Sequence, residues 1–194
     1  MRDGRQRRVT RETAIDLAVA LDAGRGSYGA PTGLRFFDHM LEAFCLYSGI
    51  AVTGEARSLD GIDHHIVEDV AIVLGGAIAD ALGDRAGIAR FGTAHVAMDD
   101  ALARAVIDCG GRAYARIDLP LGRERVEDLD TQLVAHFFRS LAQAMGATLH
   151  IDLLAGEDAH HAVEAAFKAC ALAFKQAWTA TATVEALSTK GVLG

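Results

Sequence analysis

The sequence predicts an α+β protein made of two related halves, each a small sheet with helices on one face. Three observations predict it. The string "DHHIVED" at residues 63–69 returns as "AHHAVEA" at 159–165, and self-similarity at a fixed spacing is the mark of an internal duplication. One isolated histidine precedes each copy at a similar interval, His39 before the first and His136 before the second. Strand and helix patterns alternate without a GxGxxG or Walker motif, which removes support for a doubly wound nucleotide fold. The halves are expected at residues 1–86 and 87–194. Two prolines and no low-complexity linker imply that they pack as one unit.

Each element has a local reason. Ile15, Leu17, Val19 and Leu21 alternate with small or polar residues, the period of a half-buried strand. Residues 22–33 are a Gly-rich connection, after which "FFDHMLEAFCLYSG" reads as a helix with Asp38 as N-cap and Gly49 past its end. "IAVTGEA" is a strand, and "HHIVEDVAIVLGGAIADALG" is a long apolar helix closed by Gly83. Strands are expected near 91–97, 102–109 and 113–119. A helix in "DTQLVAHFFRSLAQAMG", a strand in "ATLHIDLL" and a second long helix in "HHAVEAAFKACALAFKQAW" follow. The tail "EALSTKGVLG" has no periodic pattern.

Composition narrows the function. The chain of 194 residues is 51% apolar, enough for a real core. A net charge of −7 argues against a nucleic-acid binder, which would show a basic face. No apolar run approaches the roughly 20 residues that cross a bilayer, and no apolar stretch follows the basic N-terminus, so no membrane partner is expected and the location is expected to be cytoplasmic. Cys45, Cys109 and Cys170 are odd in number and widely spaced, as reduced core thiols are.

The histidines carry the chemistry. Six of the eight belong to the repeated pattern: His39, His64, His65, His136, His160 and His161. On a helix, residues four apart share a face, so His64 meets Glu68 and His160 meets Glu164. Adjacent residues diverge by about 100°, so the two rings of one pair serve different centres. Two metal centres of about three histidines and one glutamate each are therefore expected, with room for exchangeable ligands. Lys168 lies one turn beyond Glu164 and suits an anion contact. The string "STKG", with Ser188 and Lys190, is a weak phosphate cue.

Together these strings closely resemble imidazoleglycerol-phosphate dehydratase, a histidine-biosynthesis family. The resemblance runs from about Arg7 to Leu193 through "TRET", "FFDHMLEAF", "DHHIVEDV", "GIARFG", "MDDAL", "GGRAYARIDL", "HFFRSLA", "TLHI", "AGEDAHHAVEAAFKA" and "STKGVL". It implies two ribosomal-protein-S5-domain-2-like halves, two Mn(2+) per active site, and a homo-oligomer of 24 subunits with octahedral symmetry whose sites are completed by neighbouring chains. Imidazole glycerol phosphate would be the substrate. The resemblance makes His39, His64, His65, Glu68, His136, His160, His161 and Glu164 metal ligands. It assigns Arg90, Arg112, Lys168, Ser188 and Lys190 to the substrate, chiefly its phosphate, with His39, His65 and His161 also lining its site. Glu12, in "TRET", matches an active-site glutamate, and Glu12, Glu68 and Glu164 are the candidate bases. Ala43 stands near where the family usually has Gln.

The reaction so implied removes water from a diol phosphate, with a metal-held imidazolate expelling the hydroxyl to give a diazafulvene whose neighbouring C–H a carboxylate deprotonates. On chemistry alone, a two-metal phosphate-ester hydrolase and a non-catalytic metal-binding assembly remain alternatives.

Overall fold

The structure is a computed structural model that describes residues 2–182, 185–191 and 193. The first half contains strands β1 (Asp3–Val9), β2 (Thr13–Ala20) and β3 (Ser27–Gly29), helix α1 (Arg35–Ser48), strand β4 (Ala51–Ser58) and helix α2 (Asp63–Leu82). The second half runs β5 (Phe91–Met98), β6 (Ala101–Asp108), β7 (Tyr114–Asp118), a short hairpin β8 (Arg125–Val126) and β9 (Leu129–Asp130), α3 (Thr131–Met145), β10 (Thr148–Ala155) and α4 (Ala159–Trp178). Apart from that hairpin, the second half repeats the order of the first.

The sheets repeat as well. Their strand orders are β1-β2-β4-β3 and β5-β6-β10-β7. In each, three strands run antiparallel and the short edge strand joins in parallel, β3 on β4 and β7 on β10. One face of each sheet is apolar by simple alternation. Ile15, Leu17 and Val19 are buried in β2, and Ala101, Ala103, Ala105 and Ile107 occupy the matching places in β6. Helices cover that face only, as expected for α+β architecture.

A glycine governs how closely strand meets helix in each half. A Cβ on Gly4 in β1 would lie 2.0 Å from the Ala77 carbonyl oxygen of α2, and one on Gly92 in β5 would lie 1.9 Å from that of Ala173 in α4. Any side chain at either place would force the layers apart. The same close packing thus appears twice.

The halves join through their helices, α1 against α4 and α2 against α3. Aromatic rings fill this seam. Phe37 of α1 meets Phe137 of α3 edge-on at 5.3 Å, Phe137 stacks on Phe167 of α4 at 5.3 Å, and Phe138 lies 4.6 Å from Phe167. All four are fully buried, and such rings are worth several kcal/mol each in a core, about 3–5 on truncation to alanine.

One strand was not anticipated from the sequence, and two expectations change. The basic segment before Thr10 is strand β1, because a sheet edge tolerates outward-facing Arg5 and Arg7. The Gly-rich connection holds β3 within it. Asp38 is not the N-cap of α1: the cap position is Leu34, and Asp38 accepts hydrogen bonds from Thr32 N, Thr32 Oγ and Gly33 N. The first free N–H groups of α1 are instead satisfied from the other half. Asp128 accepts from Arg35 N at 2.8 Å and Phe36 N at 3.0 Å. The three cysteines are free and buried, and burial pushes the Cys109 thiol up to about 12.

Candidate functional site

The histidine–glutamate strings sit at the starts of the two long helices, whose N-termini are held differently. Asp158 caps α4, accepting from His160 N at 2.7 Å and more loosely from His161 N at 3.4 Å. No side chain caps α2 at Ile62. The acid that follows Glu68 is structural. Asp69 is buried, takes a hydrogen bond from Thr13 Oγ at 2.5 Å, and pairs with Arg8 at 2.7 Å, fastening the β1–β2 hairpin to α2.

Two triads of two histidines and a glutamate form, and each mixes the halves; a third group, Glu12, Asp60 and His65, lies within the first half. Helix α1 lies against α4, so His39 of the first half meets His160 and Glu164 of the second. His39 Nε2 is 3.6 Å and His160 Nε2 3.5 Å from Glu164 Oε2. Helix α2 lies against α3, so His64 and Glu68 meet His136. Glu68 lies 3.8 Å from His64 Nε2 and 3.4 Å from His136 Nε2, and the two rings are 4.5 Å apart. Within each triad one ligand atom from every residue lies within 4.8 Å of the others.

These donors suit a divalent transition metal. Imidazole and carboxylate together favour manganese, iron, cobalt, nickel or zinc over calcium or magnesium. An independent sign is His136 Nε2, which is buried with no hydrogen-bond partner. A buried nitrogen without a partner is costly unless something else occupies its lone pair, and an ion in this triad would do so. Three protein ligands leave each centre short of a full set.

The second histidine of each pair joins neither triad. His65 Nδ1 is 2.7 Å from Asp60, and His161 Nδ1 is 2.6 Å from Asp100. Both rings have pKa values raised by these hydrogen bonds. Glu12 sits at the tip of the β1–β2 hairpin, where Thr10 Oγ accepts from its N–H, and its carboxylate is 3.9 Å from His65 Nδ1. Burial opposes ionisation of Glu164, but the hydrogen bond and charge of Lys168, 2.8 Å away, and the charges of His39 and His160 outweigh it and hold Glu164 below the usual range.

A separate cleft of about 540 Å³ gathers Arg90, Arg112, Ser188 and Lys190 with Gly110, Thr189 and Leu193. Arg90 has a left-handed backbone, φ 70°, unusual for a residue with a side chain. Two hydrogen bonds from its guanidinium to Asp108, at 2.7 and 2.9 Å, and a third to the Leu187 carbonyl at 2.6 Å fix it beside the tail. Arg112 is more exposed and 3.9 Å from Asp108. Two guanidiniums, a hydroxyl and an ammonium around one opening suit a phosphate group. Lys168 does not line this cleft; it stands by Glu164, with Met98 sulfur at 3.4 Å.

Asp60, Asp100, Asp108 and Glu127 touch these residues and escaped the reading of the sequence. Each acts across a long stretch of chain or from a loop, where periodicity carries no signal. "EDLD" at 127–130 does show a turn followed by the Asp130 cap of α3, the one local cue that was available.

Comparison with known proteins places the chain in a family. Residues 32–174 match the family model of imidazoleglycerol-phosphate dehydratase. The chain is 47% identical to the imidazoleglycerol-phosphate dehydratase of Chloroherpeton thalassium over 99% of its own length and 98% of that protein's. It is 48% identical to the same enzyme from Salinibacter ruber over 96% and 93%. Among solved structures, the Staphylococcus aureus enzyme superposes with a TM-score of 0.82 at 35% identity, covering 92% of this chain and 99% of that one. The Pyrococcus furiosus enzyme, crystallised with the compound (S)-C348, also gives 0.82, at 37% identity, covering 97% and 100%. With a duplicated fold, triads shared between its halves and full-length likeness to these enzymes, the chain belongs to the imidazoleglycerol-phosphate dehydratase family.

Proposed function

We propose that this protein dehydrates D-erythro-imidazole glycerol phosphate to imidazole acetol phosphate in histidine biosynthesis, using two Mn(2+) per active site. The observation that carries the reading is the pair of His₂Glu triads, each drawing one ring from the opposite half, in a chain that also carries a two-arginine cleft. The repeat halves are assigned to residues 1–86 and 87–194. His65 and His161 join neither of the two His₂Glu triads of their own chain, which supports their acting as ligands for centres completed by neighbouring copies. A homo-oligomer of 24 subunits with octahedral symmetry, in the cytoplasm, is the corresponding assembly.

The ligand assignment is His39, His64, His65, Glu68, His136, His160, His161 and Glu164. When bound, the metals supply positive charge that favours the deprotonated substrate ring. The protein's own groups do the rest. Arg90, Arg112, Ser188 and Lys190 hold the phosphate and so fix the diol carbons relative to the ring. Lys168 adds a cation at the metal end of the site. The C–O bond on the carbon beside the ring breaks and the hydroxyl leaves as water with the proton given up by the ring N–H; a carboxylate takes the proton from the next carbon and returns it to the ring. The enol so formed becomes the ketone when a proton returns to the carbon beside the ring. Glu12 is the base best suited by geometry, because Glu68 and Glu164 each already face two imidazoles.

The test is direct. Purified protein with Mn(2+) and synthetic substrate should form imidazole acetol phosphate with no free inorganic phosphate. Phosphate release would identify a hydrolase, and metal uptake without turnover a binding assembly.

A further inference from the structure

The two halves solve one problem with different residues. His65 and His161 are the matching second histidines of the repeat, and each gives its Nδ1–H to a loop carboxylate. In the second half that carboxylate is Asp100, which immediately precedes β6 and lies 2.6 Å from His161 Nδ1. The residue that immediately precedes the matching strand β2 is Glu12. By position Glu12 would hold His65, yet it stands back at 3.9 Å. Asp60 holds the ring instead, at 2.7 Å.

Asp60 has no counterpart. It lies three residues ahead of α2, and the residue three ahead of α4 is Gly156. Asp60 is itself fixed, accepting from Ile62 N at 3.0 Å and Ser58 Oγ at 3.3 Å. Asp100 is pinned in the same manner by Glu157 N at 2.6 Å and Asp158 N at 2.9 Å. Glu12, by contrast, is half exposed, and no hydrogen bond to its carboxylate occurs among the described residues.

We propose that Asp60 is a positioning residue that takes over the orientation of His65 and thereby frees the Glu12 carboxylate to act on substrate, whereas Asp100 remains the orienting group for His161. A carboxylate only accepts, so in both rings Nδ1 carries the hydrogen and Nε2 is the nitrogen left for ligation, that of His161 lying 3.4 Å from Asp99. One repeat position thus supplies a support in one half and a reactive group in the other. The inference rests on the metal-dependent dehydratase reading above.

The experiment measures Mn(2+) content and affinity beside steady-state kinetics. Removing a carboxylate that orients a metal-bound histidine typically lowers metal affinity about 10- to 100-fold. In Asp60→Ala, Glu12 closes on His65 and replaces the lost acceptor. Metal affinity should then stay within about threefold of wild type while kcat falls about tenfold or more. Asp60→Asn keeps an accepting oxygen and should restore most of kcat. Glu12→Gln should leave Mn(2+) affinity unchanged, which reads the same assignment without touching the Asp60 turn. Asp100→Ala should lose metal affinity by the 10- to 100-fold expected when the one hydrogen bond to His161 Nδ1 is removed. Wild-type kcat in Asp60→Ala, or a tenfold loss of metal affinity in Glu12→Gln, overturns the proposal. A wild-type protein that binds no metal or does not turn over substrate overturns the functional reading itself.

Discussion

Asp128→Ala separates the contribution of a single carboxylate that joins the halves. Its two oxygens accept from Arg35 N at 2.8 Å and Phe36 N at 3.0 Å, the first two residues of α1. Leu34 at the cap position offers no side-chain acceptor, so the variant leaves both N–H groups to water. Loss of a helix cap costs about 0.5–2 kcal/mol, and Asp128 is only partly buried, so about 1–2 kcal/mol is expected. For a chain of this size that lowers Tm by roughly 2–8 °C. Thermal and urea unfolding of metal-free protein at fixed concentration measure it. The dependence on pH has a definite sign. Burial disfavours the charged carboxylate, but the hydrogen bonds from Phe36 and Arg35 outweigh it and hold Asp128 below the usual range. Its contribution is therefore complete above the ordinary aspartate value and is lost as pH falls through the lower folded value. Wild type and variant should differ fully at pH 7 and converge in acid. Equal Tm at pH 7, or a gap that widens in acid, would refute this account of the cap.

Further outcomes follow from the same geometry. His136→Ala should remove metal from the His64–Glu68–His136 triad and reduce Mn(2+) content by inductively coupled plasma mass spectrometry, while His95→Ala, outside both triads, leaves it intact. Lys190→Ala and Arg90→Ala should raise KM strongly with smaller effects on kcat, as loss of phosphate anchoring does; an unaltered KM removes the residue from the cleft. Gly92→Ala should destabilise by about 1–3 kcal/mol in denaturant, since its Cβ would meet the Ala173 carbonyl at 1.9 Å.

Much of the fold was legible because its signals are local. Alternation in β2 and the long apolar runs of α2 and α4 survive as elements, and the doubled histidine string located the starts of both long helices. Strand β1 was not legible: only its pairing with β2 makes a strand of an arginine-rich segment. The site divides the same way. Helical spacing brought His64 to Glu68 and His160 to Glu164, but the exchange of His39 and His136 between halves depends on helix packing that no spacing encodes. Asp128 acts on a helix start 92 residues away, and Asp100 on His161 across 61. Such contacts are set by tertiary approach, so composition and periodicity are silent about them.

The exchange of rings has a consequence for ancestry. A lone half owns two imidazoles and a carboxylate on one helix start and a stray imidazole on another, and neither makes a pocket for an ion. Two copies of such a unit, docked as the halves dock here, would enclose two identical pockets. Joining them in one polypeptide retains both and releases them from identity. Lys168 now stands beside Glu164, where the matching place after Glu68 is Ile72. Asymmetry of that kind is closed to a dimer of equal parts.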